Sequence, residues 1–306
     1  MKTVKILNLI LFCVLGLAHF SYAQNQKTAK KRVAVFLFED KSGGNQRWYG
    51  NKGVGEGVTD MITTELVKSG NYTVIEREQL DALLKEQDLG RSGIVSPQSA
   101  AEVGKILGVE MAVFGFVTEF GYKKDDSGLR LKGANIGLGK QSAVVALDVR
   151  LVNTSTGEIM VAENVRKTKN GISGGVSMKQ FAFKNNQSFN ESLVGKVCRS
   201  AVEKVVKLIN DNANNIPWEA KVITMQDNKV YINSGKNDGI TIGESFKVFR
   251  QGEALIDPDT GLNLGSVTTE VGMIKVIDNQ VGEGKASICE VVSGDSFSKG
   301  DIVKMK

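Results

Sequence analysis

The run Val145-Ala-Leu-Asp-Val-Arg-Leu-Val-Asn-Thr-Ser-Thr-Gly-Glu-Ile-Met-Val-Ala162 decides the fold. Val145, Leu147, Val149 and Leu151 alternate with Ala146, Asp148 and Arg150, the period of two that sets apolar side chains on one face of a strand. Asn153-Thr-Ser-Thr-Gly157 then supplies turn residues, and Glu158–Ala162 reads as the returning strand. A β-hairpin with one apolar face cannot stand alone in water, so the flanking sequence must provide a layer to cover it.

The upstream sequence alternates strand and helix signals. Arg32-Val-Ala-Val-Phe-Leu-Phe38 is a short apolar run of the kind that forms a strand covered on both faces. A long polar connection follows over residues 39–57, carrying the adjacent aromatics Trp48 and Tyr49. Val58, Met61, Ile62, Leu66 and Val67 recur at helical spacing and stop at Ser69-Gly70. Tyr72–Glu76 reads as a strand, Leu80, Leu83 and Leu84 mark a helix over about 78–87, and Ser96-Pro97 opens another that runs to Gly108. Val109–Phe116 is again a strand, and this order predicts an α/β domain with helices packed on a sheet. From about Thr118 the pattern is β.

Downstream, residues 189–210 form the clearest helix in the chain, with Val194, Val197, Cys198, Ala201, Val202, Val205, Leu208 and Ile209 on one stripe. Asp211–Pro217 reads as a linker. Beyond it, short β runs at Ala220–Thr224, Lys229–Ile232, Ser245–Phe249, Gly272–Ile277, Ala286–Val292 and Asp301–Lys304 alternate with Gly, Asn and Asp turns, which predicts an all-β domain over 218–306 built as a small barrel or sandwich. The length of 306 residues accommodates two such units.

Composition then excludes whole classes of chemistry. Residues 1–23 read as a secretory signal peptide: Lys2 and Lys5, the apolar run Ile6–Leu17, and Ser21-Tyr22-Ala23 as the cleavage site. Its removal takes two lysines and no acid, lowering the formal net charge from +5 to +3 and leaving no case for nucleic acid as a partner. It also takes His19 and Cys13, so Ser-His-Asp and Cys-His catalysis and histidine-ligated zinc are excluded in the mature chain. Cys198 lies on the buried helical stripe, and with Cys289 it reads as one of two free core thiols.

Two motifs imitate ligand sites. Gly53-Val-Gly-Glu-Gly57 before a helix, with Glu76 ending the next strand, resembles a dinucleotide cradle, but about fifteen residues separate it from Phe38 and no Gly-Lys-Ser/Thr follows. Those glycines serve instead to let the loop approach the helix start. Asp257-Pro-Asp-Thr-Gly261 resembles the start of a calcium loop, but the twelfth position is Thr268 and carries no carboxylate, so it reads as a turn. No catalytic residue, cofactor or metal ligand set is assigned, and the chain is not read as an enzyme.

Flanking the central hairpin are two glycine-rich stretches, Gly128–Gly139 and Asn170–Lys184, each long enough for a membrane-crossing strand. Alternation is present in pieces: Leu129 and Leu131 then Ile136 and Leu138 in the first; Ile172, Val176 and Met178 then Phe181 and Phe183 in the second. The phase slips inside each stretch, which leaves open a bulge, a turn or no membrane contact.

Over residues 32–210 the chain resembles the curli production assembly/transport (CsgG) family. The resemblance rests on Val33-Ala-Val-Phe36, the Asp40-Lys-Ser-Gly loop, Gly53–Gly57 before Met61–Leu66, Val74-Ile-Glu-Arg-Glu-Gln-Leu80 and, above all, Val149–Ile159. It implies a CsgG-like periplasmic α/β domain, residues 24–217, with two extended β-hairpins over about 122–150 and 165–191. In an oligomeric ring these hairpins close a shared transmembrane β-barrel through the outer membrane and pass secreted fibre or adhesin subunits, aided by periplasmic accessory proteins. It also maps the 39–57 loop onto a pore constriction, with Trp48, Tyr49 and Asn51 as candidates. Cys13 follows Ile10-Leu-Phe12 rather than small residues, so the family's lipid anchor is not expected. The C-terminal segment, including Val230–Glu244, resembles the β domain of a flagellar assembly protein of the periplasmic ring. That likeness keeps a second reading open, a ring or scaffold protein without a pore of its own.

Overall fold

The computed structural model describes residues 29–43, 48, 52–75, 106–125, 140–172, 186–259 and 263–306. The expected leader 1–23, the helix over 78–87 and most of the one opening at Pro97 fall outside these residues.

Strand β1 (Lys31–Val35) lies inside a mixed six-stranded sheet and pairs in parallel with β3 (Tyr72–Val74) on one side and β4 (Met111–Asp125) on the other. As expected, both of its faces are covered: Val33 and Val35 belong to the larger core, Ala34 and Phe36 to a smaller one with Ala112, Phe114 and Val152. The two-residue strand β2 (Glu39–Asp40) also pairs with β4. Helix α1 (Val54–Ser69) then carries the chain over to β3 and is closed by Gly70 at φ 69°, the left-handed conformation that a Cβ would disfavour.

β4, β5 (Lys140–Asn153) and β6 (Ile159–Ile172) form a long antiparallel meander. The alternation that predicted the central hairpin is realised: Val145, Leu147, Val149 and Leu151 are buried in the larger core, and the turn falls at Thr154–Thr156. The strands are longer than their periodicity indicated, β4 running nine residues past Phe116 to Asp125. Antiparallel ladder pairing carries the strands through the polar residues Glu119, Lys123 and Lys124, where the apolar signal stops.

The covering layer comes from α1 together with α2 (Asn186–Glu191) and α3 (Leu193–Ala213). The single helix expected over 189–210 is divided at Ser192, whose hydroxyl accepts the N–H of Gly195 at 3.0 Å and so caps α3. Every residue of the expected stripe is buried. The expected linker is packed as well: α3 continues to Ala213, and Ile216 lies in the larger core at 1% exposure.

After Pro217 the chain builds a closed barrel from β7 (Glu219–Gln226), β8 (Lys229–Ile232), β9 (Ser245–Ile256), β10 (Asn263–Gln280), β11 (Ala286–Ser293) and β12 (Ile302–Met305), in the order β10-β11-β8-β7-β12-β9. Trp218, Val222, Val230, Ile232, Phe246, Val248, Ile274, Cys289 and Val303 fill it. Closure satisfies the edges of short strands that could not otherwise stand alone. β9 pairs with β12 only over Phe246–Phe249, while its ladder with β10 continues to Ile256 opposite Asn263, so the two strands leave the barrel as a paired ribbon. Cys198 and Cys289 are free thiols, each buried in a different core, and burial pushes both up to about 12.

Candidate functional site

The meander positions the candidate site at its far end. Asp125 faces Lys140, and Lys140 in turn faces Ile172, so the described ends of all three strands stand side by side. The segments 126–139 and 173–185, which contain Leu129, Leu131, Ile136, Leu138, Val176, Met178, Phe181 and Phe183, are joined in sequence to these strand ends. Those eight residues lie outside the described residues; Ile172 ends β6. The second hairpin, expected over about 165–191, has its strand in β6 and ends in helix α2, because Phe189 turns inward to cover the sheet.

The two faces near that end differ in chemistry. Toward the helices, Phe120, Ala143, Val145 and Val165 are buried. On the other face Glu119 accepts from Arg166 Nε at 2.8 Å and from Lys123 Nζ at 2.6 Å, and Asp148 accepts from Asn164 Nδ2 at 2.5 Å. Hydrogen bonds from Arg166, then Lys123, hold Glu119 down at about 2. Lys41 from the loop after β2 places its ammonium 3.4 Å from the centroid of the Phe116 ring. This face carries the charged residues Glu119, Lys123 and Arg166 at the far end, while nearer the base Ala112, Phe114 and Val152 are buried in the smaller core.

The loop expected to form a constriction is anchored at the base of this region. Trp48 is 3% exposed, its ring centroid 4.1 Å from that of Phe189 and 5.9 Å from that of Phe120. It is a core residue here and does not face a channel, because the indole lies over Gly57, where any Cβ would strike the ring. Tyr49 and Asn51 lie outside the described residues. Of the glycines that resembled a phosphate cradle, Gly53 is the N-cap of α1 and Gly55 and Gly57 sit inside it, the helix beginning four residues earlier than Val58. A Cβ at Gly55 would collide with the Phe38 carbonyl, and Thr59 completes the join by accepting the Phe38 N–H at 2.9 Å while donating to the Gly55 carbonyl at 2.8 Å. Their role is the close approach of β1's exit to the helix. Asp257 Oδ1 accepts the N–H of Asp259 at 2.9 Å, the turn bond expected of that motif.

The model of the family described as "Curli production assembly/transport component CsgG" matches residues 17–241. The chain belongs to the CsgG family. Curated relatives of that name include those of Escherichia coli (strain K12), 27% identical over 226 residues that cover 67% of this chain and 80% of the relative, and of Salmonella typhimurium (strain LT2), 26% identical over 223 residues with the same coverage. Among solved structures, the hypothetical protein CT253 of Chlamydia trachomatis aligns at a TM-score of 0.42 with 15% identity, covering 60% of this chain and 98% of that one. The CsgG match takes in the described strands of the sheet, helices α1–α3 and the first two barrel strands, and ends before β9, so β9–β12 and the ribbon lie beyond it.

Where the CsgG-type sheet meets the barrel, the contact is polar and buried, a feature that apolar periodicity could not reveal. Asp238 is 3% exposed; it accepts from the Arg32 guanidinium at 2.9 Å, from Ser234 Oγ at 2.9 Å and from Thr73 Oγ1 at 2.7 Å, tying β1 and β3 to the barrel. Arg32 also donates to the Asn233 carbonyl. Beside them is a polar cleft of about 470 Å³ whose lining includes Glu110, Thr154, Ser155, Glu219, Lys221 and Lys304.

Proposed function

We propose that the protein is an oligomeric outer-membrane secretion channel or assembly component for curli-like fibres or other surface adhesive material. The observation that carries the reading is the alignment of Asp125, Lys140 and Ile172 at one end of the meander, to which both glycine-rich segments are joined in sequence. A ring of copies would bring these segments into one closed barrel, the form in which strands cross a bilayer without unsatisfied edges. Family membership supports a part in the assembly or transport of curli-type material. Periplasmic helices and sheet would hold the ring together, and Tyr49 and Asn51, on the loop anchored by Trp48, are the residues proposed to narrow the passage. A ring or scaffold without its own pore is the second reading, favoured by the charged outer face formed by Glu119, Lys123 and Arg166.

Fractionation and detergent extraction of the full-length protein, followed by electron microscopy, separate the two. The channel reading expects outer-membrane rings with a central opening. Ile136→Arg and Val176→Arg should each cost about 2–4 kcal/mol near a bilayer midplane and deplete those rings. Salt-released rings without a detergent belt, unaffected by both substitutions, would refute the channel and support the scaffold. In reconstituted rings, Tyr49→Ala and Asn51→Ala are expected to raise conductance.

A further inference from the structure

The polar cleft where the sheet meets the barrel has no task in membrane insertion or cargo passage. It holds about 470 Å³, a volume within the range of small-molecule sites. Three parts of the molecule wall it: the β5–β6 turn, the barrel strands β7 and β12, and the β9–β10 ribbon, which contributes Gln251, Ser266 and Thr268. The cleft lies at the base of the meander, where Met111 faces Asn153. At about 3.3 Å per residue, the 15 residues of β4 put the far end, Asp125 opposite Lys140, about 45 Å away. The opening is therefore remote from the strand ends to which the glycine-rich segments are joined.

The charges of the cleft are answered from within the protein. Lys304 pairs with the Glu219 carboxylate at 3.1 Å, the Ser155 hydroxyl reaches the other oxygen of that carboxylate at 3.4 Å, and the Lys221 charge acts on the Asp301 carboxylate. Both oxygens of Glu110 accept backbone N–H groups, from Arg32 at 2.8 Å and from Glu219 at 3.3 Å. An anionic ligand would meet these acids and a cationic one the two lysines, and neither would find an opposite charge in reserve. What is left is neutral hydrogen-bonding capacity. Asn233 Oδ1 accepts the Lys221 N–H at 2.7 Å, which fixes the amide and directs its NH₂ group as a donor. Gln251 donates from Nε2 to Ser266 Oγ at 3.1 Å and keeps Oε1 as an acceptor. The Ser266 and Thr268 hydroxyls both donate and accept. Among the described residues the apolar side chains of the lining are Val109 and Ile302, too few to hold a hydrophobic ligand.

We propose that this cleft is a binding site for a short stretch of an uncharged glycan. Neighbouring sugar hydroxyls donate and accept at once, which suits an amide NH₂ on one wall and an amide oxygen with hydroxyls on another. The C–H face of a sugar ring needs only a small apolar contact, and Val109 and Ile302 supply it. Gln251, Ser266, Thr268 and Ile302 lie beyond residues 17–241, so the site is assembled from the CsgG-type sheet together with strands outside the family match. An N-acetylated chain, as in a cell wall, and a plain hexose chain share the required chemistry. This inference does not depend on whether the protein forms a pore.

Titration of the isotope-labelled mature chain with chitotriose and, separately, with maltotriose tests it by NMR. The Asn233 side-chain NH₂ and the backbone amides of Gln251 and Thr268 should shift and saturate, while the middle of α3 stays unmoved. A response to chitotriose alone assigns the N-acetylated chain and a response to maltotriose alone the plain one; either supports the site. Gln251→Ala and Thr268→Val, both at exposed positions, should each weaken binding by about ten-fold, the loss of one hydrogen bond. The absence of a saturable shift with either sugar at about 10 mM, beyond the millimolar range of weak binding, overturns the proposal in the wild type alone. Saturation confined to residues outside the cleft, or undiminished in both variants, also overturns it. An uncharged peptide of Gly, Ser, Asn and Gln that shifts these amides where neither sugar does would refute the glycan and assign the cleft to a polypeptide.

Discussion

In the meander, Val145, Leu147, Val149 and Leu151 are covered by a separate layer, α1 and α3, whereas in the barrel Val222, Ile232, Val248 and Ile274 face one another inside a closed sheet and need no other element. The consequences differ. The meander gives one face to the larger core and part of the other, at Ala112, Phe114 and Val152, to the smaller one, and among the described residues β6 is the last strand of the sheet. The barrel closes on itself, apart from the β9–β10 ribbon that leaves it. Attachment by Asp238 and Glu110 thus joins a sheet covered by a separate layer to one closed on itself.

The sharpest way to break this contrast is to remove the anchor of one body and ask whether the other notices. Trp48→Ala takes a fully packed indole from between Phe120 and Phe189 and should cost about 3–5 kcal/mol. Exchange protection should drop in β4–β6 and α1 and stay at the wild-type level in β7–β12. Ile232→Ala, fully buried in the barrel, should do the reverse at about 2–5 kcal/mol. If each variant loosens both bodies equally, the junction makes them one cooperative unit and the contrast fails.

Smaller changes sharpen it. Ser192→Ala removes the hydroxyl that caps α3, part of the layer that covers the sheet, and should lower stability by about 1 kcal/mol in chemical denaturation. Arg166→Ala, at an exposed ion pair, should leave stability at neutral pH nearly unchanged. Its signature is the pH dependence: with Glu119 held at about 2 in the wild type, the contribution of this ion pair is present above the ordinary carboxylate range and is lost as pH falls toward 2. The variant should show a shallower acid limb in a melting series.

The same division explains what could be read from the residues alone. Where one face is apolar and the other polar, as in Val145–Leu151 or the stripe of α3, the period gives both the element and the side that is buried. Barrel strands were legible because Gly and Asn turns punctuate them. That the strand read as ending at Phe116 and the β pattern from about Thr118 form one continuous β4 was not legible, since its far stretch is held by ladder hydrogen bonds through Lys123 and Lys124 and carries no apolar signal. Trp48 shows the other limit. An aromatic in a polar loop has the composition of a pore residue, and only its neighbours Phe120, Phe189 and Gly57, distant or unremarkable in sequence, reveal it as core. Arg32, Glu110 and Asp238 were missed for a related reason: a buried polar contact between bodies far apart along the chain has no period to follow.

The two sequestered sulfurs have a practical consequence. Cys198 and Cys289 sit in separate cores with their thiols raised to about 12, so at neutral pH almost none of either exists as the reactive thiolate. Alkylating dyes and spin labels should pass them by while the protein is folded. With Cys13 replaced or removed with the expected leader, a single cysteine introduced by Arg166→Cys or Lys123→Cys would then react ahead of both buried thiols, which makes the far end of the meander directly addressable by fluorescence quenching in lipid and in water.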